Sequence, residues 1–175
     1  MNMNQEIADA LHQSMKNYCL PRYEQIPDIG LYLEQVTKYI SGCTEPLGLG
    51  PLTGSMVSNY VKQGIIQRPC KKQYHRDLIA QLIFIALAKS ILSLDDLQKF
   101  LRLQQRTVPL GTAYDYFCQE LQSALQALCG WEDLPGCLGE EHTILHTIVI
   151  TVAHKIYLQK YIAAAAEPSA DRDVS

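Results

Sequence analysis

Missing from this chain are the residue constellations that carry most enzyme chemistry. No glycine-rich phosphate cradle, nucleophile elbow or helical His-Glu-x-x-His occurs, and the paired acids Asp95 and Asp96 belong to a helix start rather than a cleft. His75 beside Arg76 suits a phosphate or solvent contact better than a general base. The chain is therefore expected not to be an enzyme and to need no cofactor. Cys-x-x-Cys is absent as well, so the six cysteines read as reduced thiols. Internal repeats and long charge runs are lacking. The opening MNMNQEIADALHQ has neither the cationic start nor the apolar run of a signal peptide, which points to the cytoplasm. Glu140 to Ile162, the longest helix candidate, carries three histidines and two lysines, too polar for a membrane span. No membrane partner is expected.

What is present is helical. Strand signals are nearly absent, while 175 residues with 47% apolar content can bury a core. Asn4 to Tyr18 places Ile7, Leu11, Met15 and Tyr18 on one face. Thr112 to Cys129 does the same with Ala113, Tyr116, Phe117, Leu121, Leu125 and Leu128, and Glu140 to Ile162 with Ile144, Leu145, Ile148, Val149, Val152, Ile156 and Ile162. Asp77 to Leu92 is apolar on nearly every side and reads as a core helix. Ser93 then restarts the chain as an N-cap with Asp96 three residues on, and Leu94, Leu97, Phe100 and Leu101 form the buried stripe of the next helix.

Charge of one sign is missing from one long stretch. Between Glu45 and Asp77 there is no acidic residue, while Lys62, Arg68, Lys71, Lys72 and Arg76 are all positive in a chain of net charge −3; such asymmetry points to a polyanion. Thr53 to Gly64 predicts a helix, with Thr53 as N-cap, Gly64 at a left-handed C-terminal position and Met56, Val57, Tyr60 and Val61 at helical spacing. Its other face is Ser55, Ser58, Asn59 and Lys62, donors and acceptors for base edges plus a cation for phosphate. From Ile65 to Arg76 two short extended pieces flank a proline-containing turn that presents Arg68, Lys71 and Lys72. Such a wing must lean on neighbouring helices through Ile65, Ile66 and Tyr74. The DNA-contact set is thus Ser55, Ser58, Asn59, Lys62, Arg68, Lys71, Lys72, His75 and Arg76.

The order NYVKQGII, KKQY, DLIAQLIFI, SILSLDDLQKFL resembles the DNA-binding half of MerR-type regulators, with Tyr60, Gly64 and Ile65 on one motif and Lys72 and Tyr74 on the next. Together with LPRYEQIPDIGLYLEQVTKYI, the span from about residue 20 to 103 is similar to an uncharacterised bacterial family, the domain-of-unknown-function family numbered 1836. The resemblance implies an all-α, MerR-like winged helix-turn-helix and a regulatory role. Two departures are plain: Ser58 and Asn59 stand where the MerR pattern has an Arg and an aromatic, and Cys43 to Leu52 separates a first helix at Leu31 to Gly42 from the reading helix by more than the usual turn of about 3 to 4 residues.

The expected organisation is an N-terminal helix over 1–19, the winged helix-turn-helix over 20–106, a C-terminal helical region over 107–163 that dimerises, and a disordered tail over 164–175. Expected partners are double-stranded DNA and a second copy of the chain, since paired half-sites need a dimer; an effector is left open. The rival reading is a helical protein-interaction module without DNA binding. A weaker one is metal sensing: Cys129 and Cys137 bracket a seven-residue spacer resembling the metal loop of some MerR-type regulators, with His142 and His146 one turn apart beyond it.

Overall fold

The computed structural model describes residues 3–128 and 143–166. Among the described residues the protein is all-α, with seven α-helices and only isolated β-bridges. These are α1 (Met3–Met15), α2 (Leu33–Thr44), α3 (Gly54–Lys62), α4 (Arg76–Ala88), α5 (Leu94–Gln104), α6 (Leu110–Leu128) and α7 (Thr143–Ala166). No described helix is long and apolar enough to cross a membrane.

The centre is α4, and its sequence explains why. RDLIAQLIFIALA has no polar side to turn outward, and every residue from Ile79 to Ala88 is buried, as a helix that is hydrophobic all round must be. It packs against α2, α6 and α7. Phe84 stacks on Phe100 of α5 at 5.3 Å between ring centroids and meets Phe117 of α6 edge-on at 5.2 Å, geometries that aromatic pairs favour. The longest helices, α6 and α7, pack extensively on each other, and α1 lies across both.

The N-terminus of α4 is fastened by the segment before α2. Asp28 Oδ1 accepts from the Arg76 N–H at 3.1 Å, satisfying one of the donors a helix start leaves unpaired. The Tyr23 hydroxyl donates to Asp77, and the Tyr23 N–H donates to Asp115 Oδ1 at 2.8 Å, so one short 3-10 turn bridges α4 and α6. The Tyr23 ring packs against Gly111, where a Cβ would come within 2.9 Å of it; any side chain there would have to displace that ring. The Ser93 cap is present as its sequence predicts: its hydroxyl accepts from Asp96 N–H at 3.1 Å and donates to the Asp96 carboxylate at 2.7 Å.

Boundaries moved modestly. The first helix of the expected motif runs Leu33–Thr44 rather than from Leu31, because Leu31 is held extended by a bridge to Tyr74. The core helix ends at Ala88, four residues short of Leu92, where two tight turns intervene. On α6 the buried set includes Tyr114, Cys118, Glu120 and Ala124, whereas Tyr116 and Leu128 are only half-buried. Cys129, Trp131, Cys137 and His142, and residues 167–175 of the expected tail, lie outside the described residues; residues 164–166 close α7 as helix.

Candidate nucleic-acid interface

Three elements build the basic surface: α3, the turn after it, and the extended residue ahead of α2. α3 forms as its caps dictate. Thr53 Oγ1 accepts from Met56 N–H at 3.2 Å, and Gly64 takes the left-handed conformation at φ +69°, with Ile65 N–H reaching back to Tyr60 O at 2.9 Å. Gln98 of α5 donates to the carbonyls of Gln63 and Gly64 at 2.9 and 3.1 Å, closing the C-terminal end of α3. Val57 and Tyr60 are buried against the core, while Met56 stays 36% exposed. Ser55, Ser58 and Lys62 face solvent and Asn59 is half-buried, its Oδ1 accepting from Gln63 Nε2 at 3.2 Å.

The segment expected as a wing is a two-residue hairpin turn. Cys70 and Gln73 form an antiparallel bridge, the Gln73 N–H donating to Cys70 O at 2.8 Å, and the residues between them, Lys71 and Lys72, have φ of +49° and +65°. Two consecutive positive φ angles are the mark of the mirror-image turn whose twist suits a hairpin. Proline, with φ fixed near −65°, is excluded from such a turn. Pro69 accordingly precedes it instead of forming its tip. Positive φ is normally the province of Gly, Asn and Asp, and costs an ordinary L-residue about 1–2 kcal/mol, so two lysines are held there against their local preference. Ile65, Ile66 and Tyr74 are all buried and carry the hairpin on the core. Leu31 adds a third segment, exchanging both backbone hydrogen bonds with Tyr74 at 2.9 and 2.8 Å.

The nine sequence-selected residues do not form one equivalent set. Lys62, Arg68, Lys71 and Lys72 are exposed, and among the described residues no carboxylate pairs with any of them. Arg76 is occupied: its guanidinium pairs with Glu24 at 2.6 Å, donates to Ile26 O at 3.1 Å and sits 5.4 Å over the Tyr23 ring. That places it in the strap holding α4. His75 is the extended cap residue of α4, exposed, with Nδ1 3.5 Å from Asp28. Of the proposed metal ligands only His146 is described, and its Nδ1 lies 2.9 Å from the buried Glu120.

Sequence reading missed Tyr32 and Ile29, which are 56% and 82% exposed. Tyr32 shares a groove of about 680 Å³ with Lys72, Pro69 and Tyr74, beside the wing. The available signal was an aromatic standing immediately before a helix start, outside the helical apolar spacing.

A family model described as Domain of unknown function (DUF1836) matches residues 21–117. The chain belongs to that family. The DUF1836 span takes in α2 to α5, the Cys70–Gln73 turn and the strap, and ends inside α6 at Phe117; α1 and α7 fall outside it. Comparison with curated proteins and with solved structures gave no match.

Proposed function

We propose that this protein is a DNA-binding transcription regulator of MerR-like type, with α2 and α3 as its helix-turn-helix pair and the Lys71–Lys72 turn as its wing. The observation that carries this reading is one-signed charge on a strained scaffold. Four cations without carboxylate partners among the described residues lie on or beside a helix face of hydroxyls and an amide, and two of them sit at the tip of a turn whose backbone disfavours lysine. An outlier of that kind is retained where surrounding structure and use demand it. Placed in a major groove, Ser55, Ser58 and Asn59 meet base edges, Lys62 meets phosphate, and the wing lysines meet the flanking backbone. The 45–53 connector, with a 3-10 turn over Glu45–Leu47 and Gly48 at φ +71°, is long for a helix-turn-helix, yet α2 and α3 still touch, Leu33 packing against Gly54.

The test is retention of random duplexes at low and moderate salt, followed by sequencing. A binder that neutralises phosphates loses affinity log-linearly with salt, and Lys71→Glu with Lys72→Glu should abolish retention. Unchanged retention by that double variant sinks the wing assignment. The protein-interaction reading draws on the exposed Ile29 and Tyr32 beside the same patch; it predicts no duplex retention by the unaltered chain at any salt.

A further inference from the structure

Gln81 is the one polar side chain in the buried run of α4 from Ile79 to Ala88. It is 9% exposed, and its amide has no hydrogen-bond partner among the described residues. That arrangement is costly, since a buried amide normally keeps its donor and acceptor paired, and an apolar side chain would fill the same volume without loss. The residue stands where two spaces meet. On one side lies an apolar recess of about 30 Å³ between α4, α5, α6 and α7, walled by Phe84, Phe100, Phe117 and Leu145. On the other, a cleft of about 130 Å³ opens past Val108 and Pro109 of the α5–α6 loop. Gln81, Leu101, Gln104 and Leu110 line both. Gln104 Nε2 donates to Thr107 Oγ1 at 3.2 Å, which leaves its Oε1 to accept. Among the described residues no Asp, Glu, Lys, Arg or His lines either space, and neither α3 nor the Lys71–Lys72 turn takes part.

We propose that this is a binding site for a small uncharged molecule with a ring-sized apolar body and one carboxamide-like group. The walls specify each part. Aromatic side chains offer ring edges and faces to an apolar body, and an apolar cavity of about 150 Å³ binds benzene, which is the scale of this cleft with its recess. The free amide of Gln81 holds both a donor and an acceptor, so the group that matches it supplies one of each. A carboxamide does so in a reciprocal pair, with Gln104 Oε1 as a further acceptor at the same mouth. A carboxylate cannot donate and an ammonium cannot accept, and neither meets an opposite charge here. An apolar cavity with a few convergent polar groups is the ordinary make-up of a small-molecule site. The inference stands apart from DNA contact, and its test contains no DNA.

Titration of the full chain with benzamide, toluene and benzoate, followed by calorimetry or ligand-observed NMR, is the test. Benzamide should bind, with toluene and benzoate each at least about tenfold weaker, because the first leaves the buried amide unpaired and the second brings an unmatched charge. Gln81→Met, close in volume, should bring benzamide down to the affinity of toluene. Gln104→Leu, at the half-buried mouth, should weaken benzamide by a smaller factor and leave toluene unchanged, and it carries the test if Gln81→Met does not fold. Absence of benzamide binding at millimolar concentration, equal binding of toluene or benzoate, or a preference for benzamide unchanged in the folded variant would each overturn the proposal.

Discussion

Under the proposed DNA-binding reading, Asn59, Lys62 and Arg76 separate three roles that charge and polarity alone would merge. Asn59 has its Oδ1 shared with Gln63 but its amide N–H groups free to donate, and a side-chain amide bidentate to adenine contributes about 1–3 kcal/mol of discrimination. Asn59→Ala should therefore flatten preference at one base position and leave non-specific affinity almost unchanged, whereas Lys62→Ala should weaken all duplexes alike and reduce the salt slope. Arg76→Ala should behave differently from both. It leaves the part-buried Ile26 carbonyl and Glu24 without their donor, so the expected loss is stability of about 1–3 kcal/mol with duplex affinity of the remaining folded protein little altered. Thermal unfolding and duplex titration on the same samples check the set; a large affinity loss for Arg76→Ala without destabilisation would return it to the interface.

At the scale of the element, the Lys71–Lys72 turn sets backbone preference against the proposed use of its charges. A hairpin turn with φ of +49° and +65° is best served by Asn-Gly. Replacing Lys71 by Asn and Lys72 by Gly should stabilise the protein by about 1–2 kcal/mol through relief of the left-handed strain while lowering duplex affinity and flattening its salt dependence by the two lost cations. Denaturant midpoints and binding isotherms measured together test this. A variant that is no more stable, or that binds as tightly as before, would mean that the lysines stand there for a reason other than phosphate.

For the whole molecule, thiols report cooperativity. Burial pushes the Cys118 thiol up to about 12, from an ordinary value near 9, while Cys19 and Cys70 are exposed. A thiol raised in the fold stabilises it below the unfolded-state value and loses that contribution as pH climbs towards the folded value. Stability should thus fall between about pH 9 and 12, assisted by the half-buried Tyr18 and the buried Tyr114, whose hydroxyls desolvation also pushes up. At about pH 8 Cys19 and Cys70 should alkylate promptly and Cys118 only at the rate of global unfolding; quick labelling of all three would indicate a loose α6. The sequence by itself determined which segments are helices, that α4 is the centre, and where α3 and α5 begin, because these follow from apolar period and capping chemistry within a few residues. It also determined the one-signed charge of 46–76. Only the tertiary structure decided that the turn tip is Lys71–Lys72 rather than Pro69, since that depends on the register in which Tyr74 pairs with Leu31, more than 40 residues away. It likewise removed Arg76 from the free cations, because Glu24 and Ile26 reach it through a fold contact that no local pattern encodes, and it left Ile144 and Ile162, which apolar spacing groups with the buried residues of α7, 52% and 57% exposed, since which side of a helix faces water is settled by what packs on the other.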